Sequence, residues 1–232
     1  MSKSITLAFP GQGSQYIGMG ENICSSIFKE ADDALGFSLS KLCSEGPVED
    51  LKKTANTQPA IVTHSYGLWK KIEPILEEMN IKVDQVLGHS VGEYSALAAA
   101  GVLSFADAVR LVQKRGSYMQ AAVPEGKGKM VAILKLDEKA IIEACEEASK
   151  PGAEVMPANF NDPTQTVISG TVAGCDKAVE ILQNKVEGKL RAIALKVSAP
   201  FHCQLMAPAA KNLEAEISKT KMNPLNLSLI HI

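Results

Sequence analysis

Five consecutive residues, Gly88-His89-Ser90-Val91-Gly92, have the form G-x-S-x-G. A serine at that spacing fits a sharp strand-to-helix turn, where the residues two positions away must lack bulk for the backbone to pack. Its hydroxyl then projects above the sheet, near the positive end of the following helix. The chemistry this permits is attack by Oγ on an acyl carbonyl, with a covalent ester as intermediate. The pattern alone is weak, since at ordinary glycine and serine frequencies roughly one chain in a dozen of this length carries it. Its context strengthens it. VDQVLG (83–88) reads as a short apolar strand, and small helix formers run from Val91 to Ala100 with Gly101 as a C-terminal cap. A plain tight turn with an N-cap serine is the bland alternative.

A serine hydroxyl needs a general base to become nucleophilic. The histidines are 64, 89, 202 and 231. His64 sits inside a helical pattern and reads as structural or exposed. His89 adjoins Ser90, and adjacent side chains on such a turn point apart, so packing or hydrogen bonding suits it better than base chemistry. His202 begins a helix after a strand and a Pro-Phe turn, and it follows the serine in chain order as the base does in α/β-hydrolases. It is the favoured base; a helix-start histidine that merely caps is the alternative. Cys203 beside it offers a thiol, but Ser90 has the better context.

A third residue stands out on the helical pattern 104–122. Ala108, Leu111, Val112, Met119 and Ala122 fall on one stripe, and Arg115 lies in the middle of it, while Arg110 and Lys114 fall on the other side. A guanidinium on an apolar face needs a partner. That partner is either a nearby structural carboxylate or the carboxylate of a substrate, gripped by two parallel hydrogen bonds. The second would select a dicarboxylic acyl group.

The elements that must position these residues alternate. The segment ITLAFP reads as a buried strand leading into the turn cluster Gly11-Gln12-Gly13-Ser14-Gln15. Helical patterns cover 21–35 and 57–79, the strand 83–88 follows, and a helix opens at Ser104 with Asp107 as a capping-box-like pair. Strand–helix alternation predicts a parallel α/β sheet. The middle of the chain has a different rhythm, with strand 130–136, helix 137–149, strand 153–160, strand 166–170, helix 174–187 and strand 190–197. That β-α-β-β-α-β order is ferredoxin-like. The expected organisation is a large subdomain of 1–126 plus 198–232 and an inserted ferredoxin-like subdomain of 127–197.

Composition is that of an ordinary globular chain: 232 residues, 46% hydrophobic, 22% charged, net charge −2. Nothing suggests nucleic-acid binding. The five cysteines, 24, 43, 145, 175 and 203, lie far apart with no C-x-x-C pair, which argues for a reduced compartment and against zinc or a disulfide framework. No signal peptide or 18-residue apolar run is expected.

Several stretches together resemble the malonyl-CoA:acyl-carrier-protein transacylases of fatty acid synthesis and the related acyltransferase domains of polyketide synthases. They are FPGQGSQYIGMG (9–20), TQPA (57–60), GHSVGEYSALAAAGVLSFADAVRLVQKRG (88–116), PANFNDPTQTVISG (157–170) and VSAPFHCQLMAPA (197–209). The resemblance implies an α/β-hydrolase-like domain with an inserted ferredoxin-like subdomain. It also implies that Ser90 forms the acyl ester, His202 is the base, Arg115 binds the malonyl carboxylate, and the backbone amides of Gln12 and Val91 form the oxyanion hole. Phe201 resembles the malonyl-selective pattern. Asn159 lies in a family motif without a firm role. The partners implied are malonyl-CoA and acyl carrier protein, with no cofactor, no metal, no nucleic acid and no membrane, in a cytoplasmic monomer. An acidic carrier would meet a basic rim, for which Lys127, Lys129, Lys189 and Arg191 are candidates, ordinary solvated lysines being the alternative for each. The family runs on beyond Asn223-Pro224, so the resemblance implies a missing C-terminal part, including the carbonyl that orients the histidine. Two other classes stay open: a serine thioesterase or hydrolase, and an inactive carrier-binding homologue.

Overall fold

The computed structural model describes residues 3–21, 23 and 25–230. Cys24 and His231 therefore lie outside the described residues. The chain is a mixed α/β protein with a parallel sheet and a separate antiparallel sheet. It divides into two compact units, 1–117 with 213–232, and 118–212.

The first unit holds β1 (Lys3–Phe9), α1 (Ser25–Leu35), α2 (Leu39–Glu45), α3 (Val48–Leu51), α4 (Thr54–Glu78), β2 (Ile81–Gly88), α5 (Gly92–Ala99), most of α6 (Phe105–Ala122) and β7 (Ser228–Ile230). Its sheet has the order β1-β2-β7, all parallel. Among the described residues β1 is thus an edge strand, and only Phe9 in it is buried. The expectation of a buried first strand is corrected: an edge strand in this sheet leaves alternate side chains exposed. The core of the unit joins Leu39, Leu51, Ile61, Val91, Leu111 and Val112 from several helices and the turn before α5. Tyr66 stacks on Phe105 with ring centroids 4.6 Å apart.

α6 starts where the sequence signal says it should. Ser104 accepts from the Asp107 amide at 3.1 Å and donates to the Asp107 carboxylate at 2.6 Å, which satisfies an otherwise unpaired N–H of the first turn. On its outer side Arg110 pairs with Asp107 and Lys114 pairs with Glu216 at 2.6 Å. Ala108, Leu111 and Val112 are buried on the opposite stripe.

The second unit holds β3 (Gly128–Leu134), α7 (Glu138–Ala148), β4 (Val155–Asp162), β5 (Gln165–Thr171), α8 (Val172–Lys185) and β6 (Arg191–Ala194), in the β-α-β-β-α-β order expected. Its sheet is antiparallel with the order β4-β5-β3-β6. One face packs Val131, Ile133 and Ile168 against Ile141 and Leu182 of the two helices. The other packs Met130, Ala132 and Val167 against Met119, Phe201 and Met206. That second face explains why the unit runs wider than 127–197: the end of α6 and the segment reaching α9 (Ala207–Ile217) supply its cover.

Among the described residues no helix is long and apolar enough to cross a membrane. The described cysteines, 43, 145, 175 and 203, are free and buried. Burial pushes the thiols of Cys43, Cys145 and Cys175 up to about 12, so they stay protonated and inert.

Candidate active site

β2 ends at Gly88 and α5 begins at Gly92, so the turn between them carries Ser90 at its corner. Ser90 has φ +52°, a left-handed conformation that costs a non-glycine residue energy. The corner is locked from both sides. The His89 amide donates to the Phe9 carbonyl at 3.0 Å, the Gly92 amide to the His89 carbonyl at 2.9 Å, and the Glu93 amide to the Ser90 carbonyl at 3.2 Å. A Cβ on Gly88 would come within 2.1 Å of the Gly92 carbonyl carbon, and one on Gly92 within 2.3 Å of the Phe9 oxygen. The glycines of the motif are therefore set by backbone contact, not by flexibility. Gly92→Ala should destabilise the chain by about 1–3 kcal/mol, because backbone atoms cannot step aside as a side chain can. The midpoint of denaturant unfolding measures it.

The loop before the corner is held against it. A Cβ at Gly11 would sit 2.5 Å from Nδ1 of His89, so the imidazole lies against that loop. The next residue, Gln12, donates through Nε2 to Oγ1 of Thr54 at 3.4 Å. Val91 is fully buried at the N-cap of α5, with φ −61° and ψ −24°. Amides at a helix start have no partner within the helix.

Arg115 approaches the same corner from α6. Its Nη2 donates to Ser90 Oγ at 3.2 Å, and its Nη1 donates to Oε1 of Gln58 at 2.9 Å. Its guanidinium carbon stands 5.9 Å from the Tyr94 ring centroid, within cation–π range. Among the described residues no salt bridge to it is seen, while the charge of Glu93 acts on it. Burial pulls its pKa below the usual arginine value, with Tyr94 and Glu93 acting against that. Burial likewise raises the Tyr94 phenol. Of the two partners open to Arg115 on the sequence, a structural carboxylate is not the one seen. A neutral amide is.

His202 belongs to the second unit, between buried Phe201 and buried Cys203, also with a left-handed φ of +58°. Cys203 donates its thiol to the Pro200 carbonyl at 3.1 Å, and burial raises its pKa, so it offers no thiolate. Only Asn80, Ser90, Lys135 and His202 among the described non-glycine residues have positive φ. Such strain collects at functional positions. Asn159 lies in β4, opposite Val167 of β5. Of the candidate basic rim, Lys189 and Arg191 are exposed, as is Lys127, whereas Lys129 is held by Asp176 at 2.5 Å.

His64 lines an apolar cavity of about 320 Å³ beside β1 and α4, together with Leu7, Phe9, Ile61 and Trp69. Tyr16 meets it edge-on at 6.0 Å, and burial lowers its pKa. Neither Ser90 nor Arg115 lines that cavity. The sequence assigned no role to Gln58 or Tyr94. The signal open to it for Gln58 was a polar residue amid a run that becomes fully buried; for Tyr94 it was only its place one turn after the serine.

Residues 6–231 match the acyl transferase domain family. The malonyl CoA-acyl carrier protein transacylase of Haemophilus influenzae is 44% identical over 238 residues, covering 99% of this chain and 74% of that protein. The structure of the transacylase of the same name from Coxiella burnetii superimposes with a TM-score of 0.93 at 40% identity, covering 100% of this chain and 73% of that one. A malonyl-transacylase solved in complex with a type II polyketide synthase acyl-carrier protein gives a TM-score of 0.89 at 39% identity, covering 99% and 74%.

Proposed function

The chain belongs to the acyl transferase domain family, and from that membership we propose that it transfers malonyl from malonyl-CoA to the phosphopantetheine thiol of acyl carrier protein through a malonyl-Ser90 ester. One observation carries the choice of acyl group. A half-buried guanidinium, with no carboxylate at ion-pair distance among the described residues, points at the nucleophile, 3.2 Å from Oγ. Malonyl is short: its free carboxylate lies one methylene beyond the carbonyl that Ser90 attacks. A cation beside Oγ is where that carboxylate would fall.

The steps follow from the residues. Malonyl-CoA binds with its carboxylate on Arg115, taking two parallel N–H donors. Ser90 Oγ attacks the thioester carbonyl while His202 takes the hydroxyl proton. The backbone amides of Gln12 and Val91 stabilise the tetrahedral oxyanion, each such donor contributing roughly 3–4 kcal/mol of barrier lowering. The C–S bond breaks and CoA leaves as the thiol, with the proton from His202. The carrier thiol then attacks the Ser90 ester, again through His202, and frees the hydroxyl. No cofactor enters any step. In fold terms, the first unit reads as an α/β-hydrolase-like domain and the second as a ferredoxin-like insertion centred on 127–197. The supports are the strand–turn–helix placement of Ser90 and the β-α-β-β-α-β order.

Intact mass tests the reading. The chain mixed with malonyl-CoA should gain one malonyl group, and holo acyl carrier protein should remove it to its own thiol. Loss of the label to water at the same rate without carrier would instead make the protein a thioesterase. Carrier binding without any label would make it a non-catalytic homologue.

A further inference from the structure

We propose that Gln58 is a positioning residue that sets the acyl selectivity of Ser90, by holding Arg115 in place without neutralising it; this rests on the malonyl-transfer reading above.

Gln58 is 1% exposed, in a helix start where Thr54 and Thr57 are both fully buried. Buried polar groups need partners, and each of these has one. Thr57 donates to the Leu51 carbonyl at 2.5 Å, Thr54 accepts from Gln12, and Gln58 accepts from Arg115. A guanidinium has donors only, so it must be the amide oxygen of Gln58 that faces it. The spacing between the two residues is fixed by main chain. Gly116 follows Arg115, and a Cβ there would lie 2.5 Å from the Thr54 carbonyl oxygen and 2.8 Å from the Ala55 Cα. α6 therefore rests directly on the backbone of the first turn of α4. The backbones that carry Arg115 and Gln58 are thereby held at a fixed spacing, and the bond between the side chains holds the head group on it.

The charge logic follows. A carboxylate at 58 would hold the guanidinium equally well and cancel its charge. An amide occupies one edge and leaves the charge without a directly bonded anion in a half-buried place. The other edge rests on a neutral hydroxyl at 3.2 Å, a long contact that a substrate carboxylate can replace. Gln58 thus keeps Arg115 both fixed and unspent, so an acyl group bearing its own carboxylate gains far more than a plain one.

The test compares malonyl-CoA and acetyl-CoA as donors, with holo acyl carrier protein as acceptor, in Gln58→Glu and Gln58→Met. Gln58→Glu should lower kcat/KM for malonyl by about a hundredfold, mostly through KM, with acetyl changed by less than about threefold. Gln58→Met, which removes the acceptor without adding charge, should lower malonyl by about tenfold with the same bias. Thermal melts accompany both. Equal losses for the two donors, or an unchanged ratio in either folded variant, would overturn the inference. If Gln58→Glu fails to fold, Gln58→Met decides; if neither folds, Gln58 is structural and the inference fails. A wild-type chain that takes up neither acyl group would refute the parent reading instead.

Discussion

Ser90→Ala should give a folded chain that gains no mass from malonyl-CoA and transfers nothing to acyl carrier protein. The loss should be on the order of 10⁴–10⁶-fold in kcat, the usual result of deleting a covalent nucleophile. The fold should survive for two reasons. Alanine meets the left-handed backbone at position 90 with nearly the same steric cost as serine, since both carry a Cβ. The hydroxyl's 3.2 Å bond from Arg115 is lost, and one bond of that kind costs about 1–3 kcal/mol. Malonyl-CoA should still bind, because the cation for its carboxylate stays. Intact mass, with a melt as control, reads all of this. A variant that still acquires malonyl would place the nucleophile elsewhere.

Arg115→Ala should strip malonyl transfer of about 10²–10³-fold in kcat/KM while leaving acetyl transfer within a few fold. The asymmetry is the point. A structural arginine would drag both substrates down together, whereas a carboxylate grip serves only the diacid. Arg115→Lys should restore little, since a point charge on a flexible stem cannot present two parallel donors. Some loss of stability is expected in the alanine variant. The Oε1 of Gln58, at 1% residue exposure, would lose this donor, at a cost of about 1–3 kcal/mol. Because the readout is a ratio between two substrates, that loss does not confuse it.

Much of this was legible in the residues. The G-x-S-x-G spacing forecast the corner, and the glycine contacts show why nothing larger fits there. Ser104 and Asp107 marked the start of α6 by their own side-chain chemistry. The 3.6-residue stripe put Arg115 on the inner face of that helix. The rest was not local. That β1 is an edge depends on its having only β2 as a neighbour among the described residues, a fact of sheet order that no strand announces. α2, α3 and β7 are too short to carry a periodic signal. The Gln58–Arg115 bond joins residues 57 apart, through a helix contact that Gly116 makes possible. Periodicity places residues on faces; it does not say which faces meet.

The left-handed backbone at Ser90 and His202 sets the demands of folding against those of chemistry. Each position gives up roughly 1–2 kcal/mol that glycine would recover. Random change favouring a sturdier molecule would thus drift toward glycine at the two places where a reactive side chain can least be spared. Only demand for the reaction holds serine and histidine there, so a lineage freed from that demand should lose them early, while its scaffold outlasts its trade.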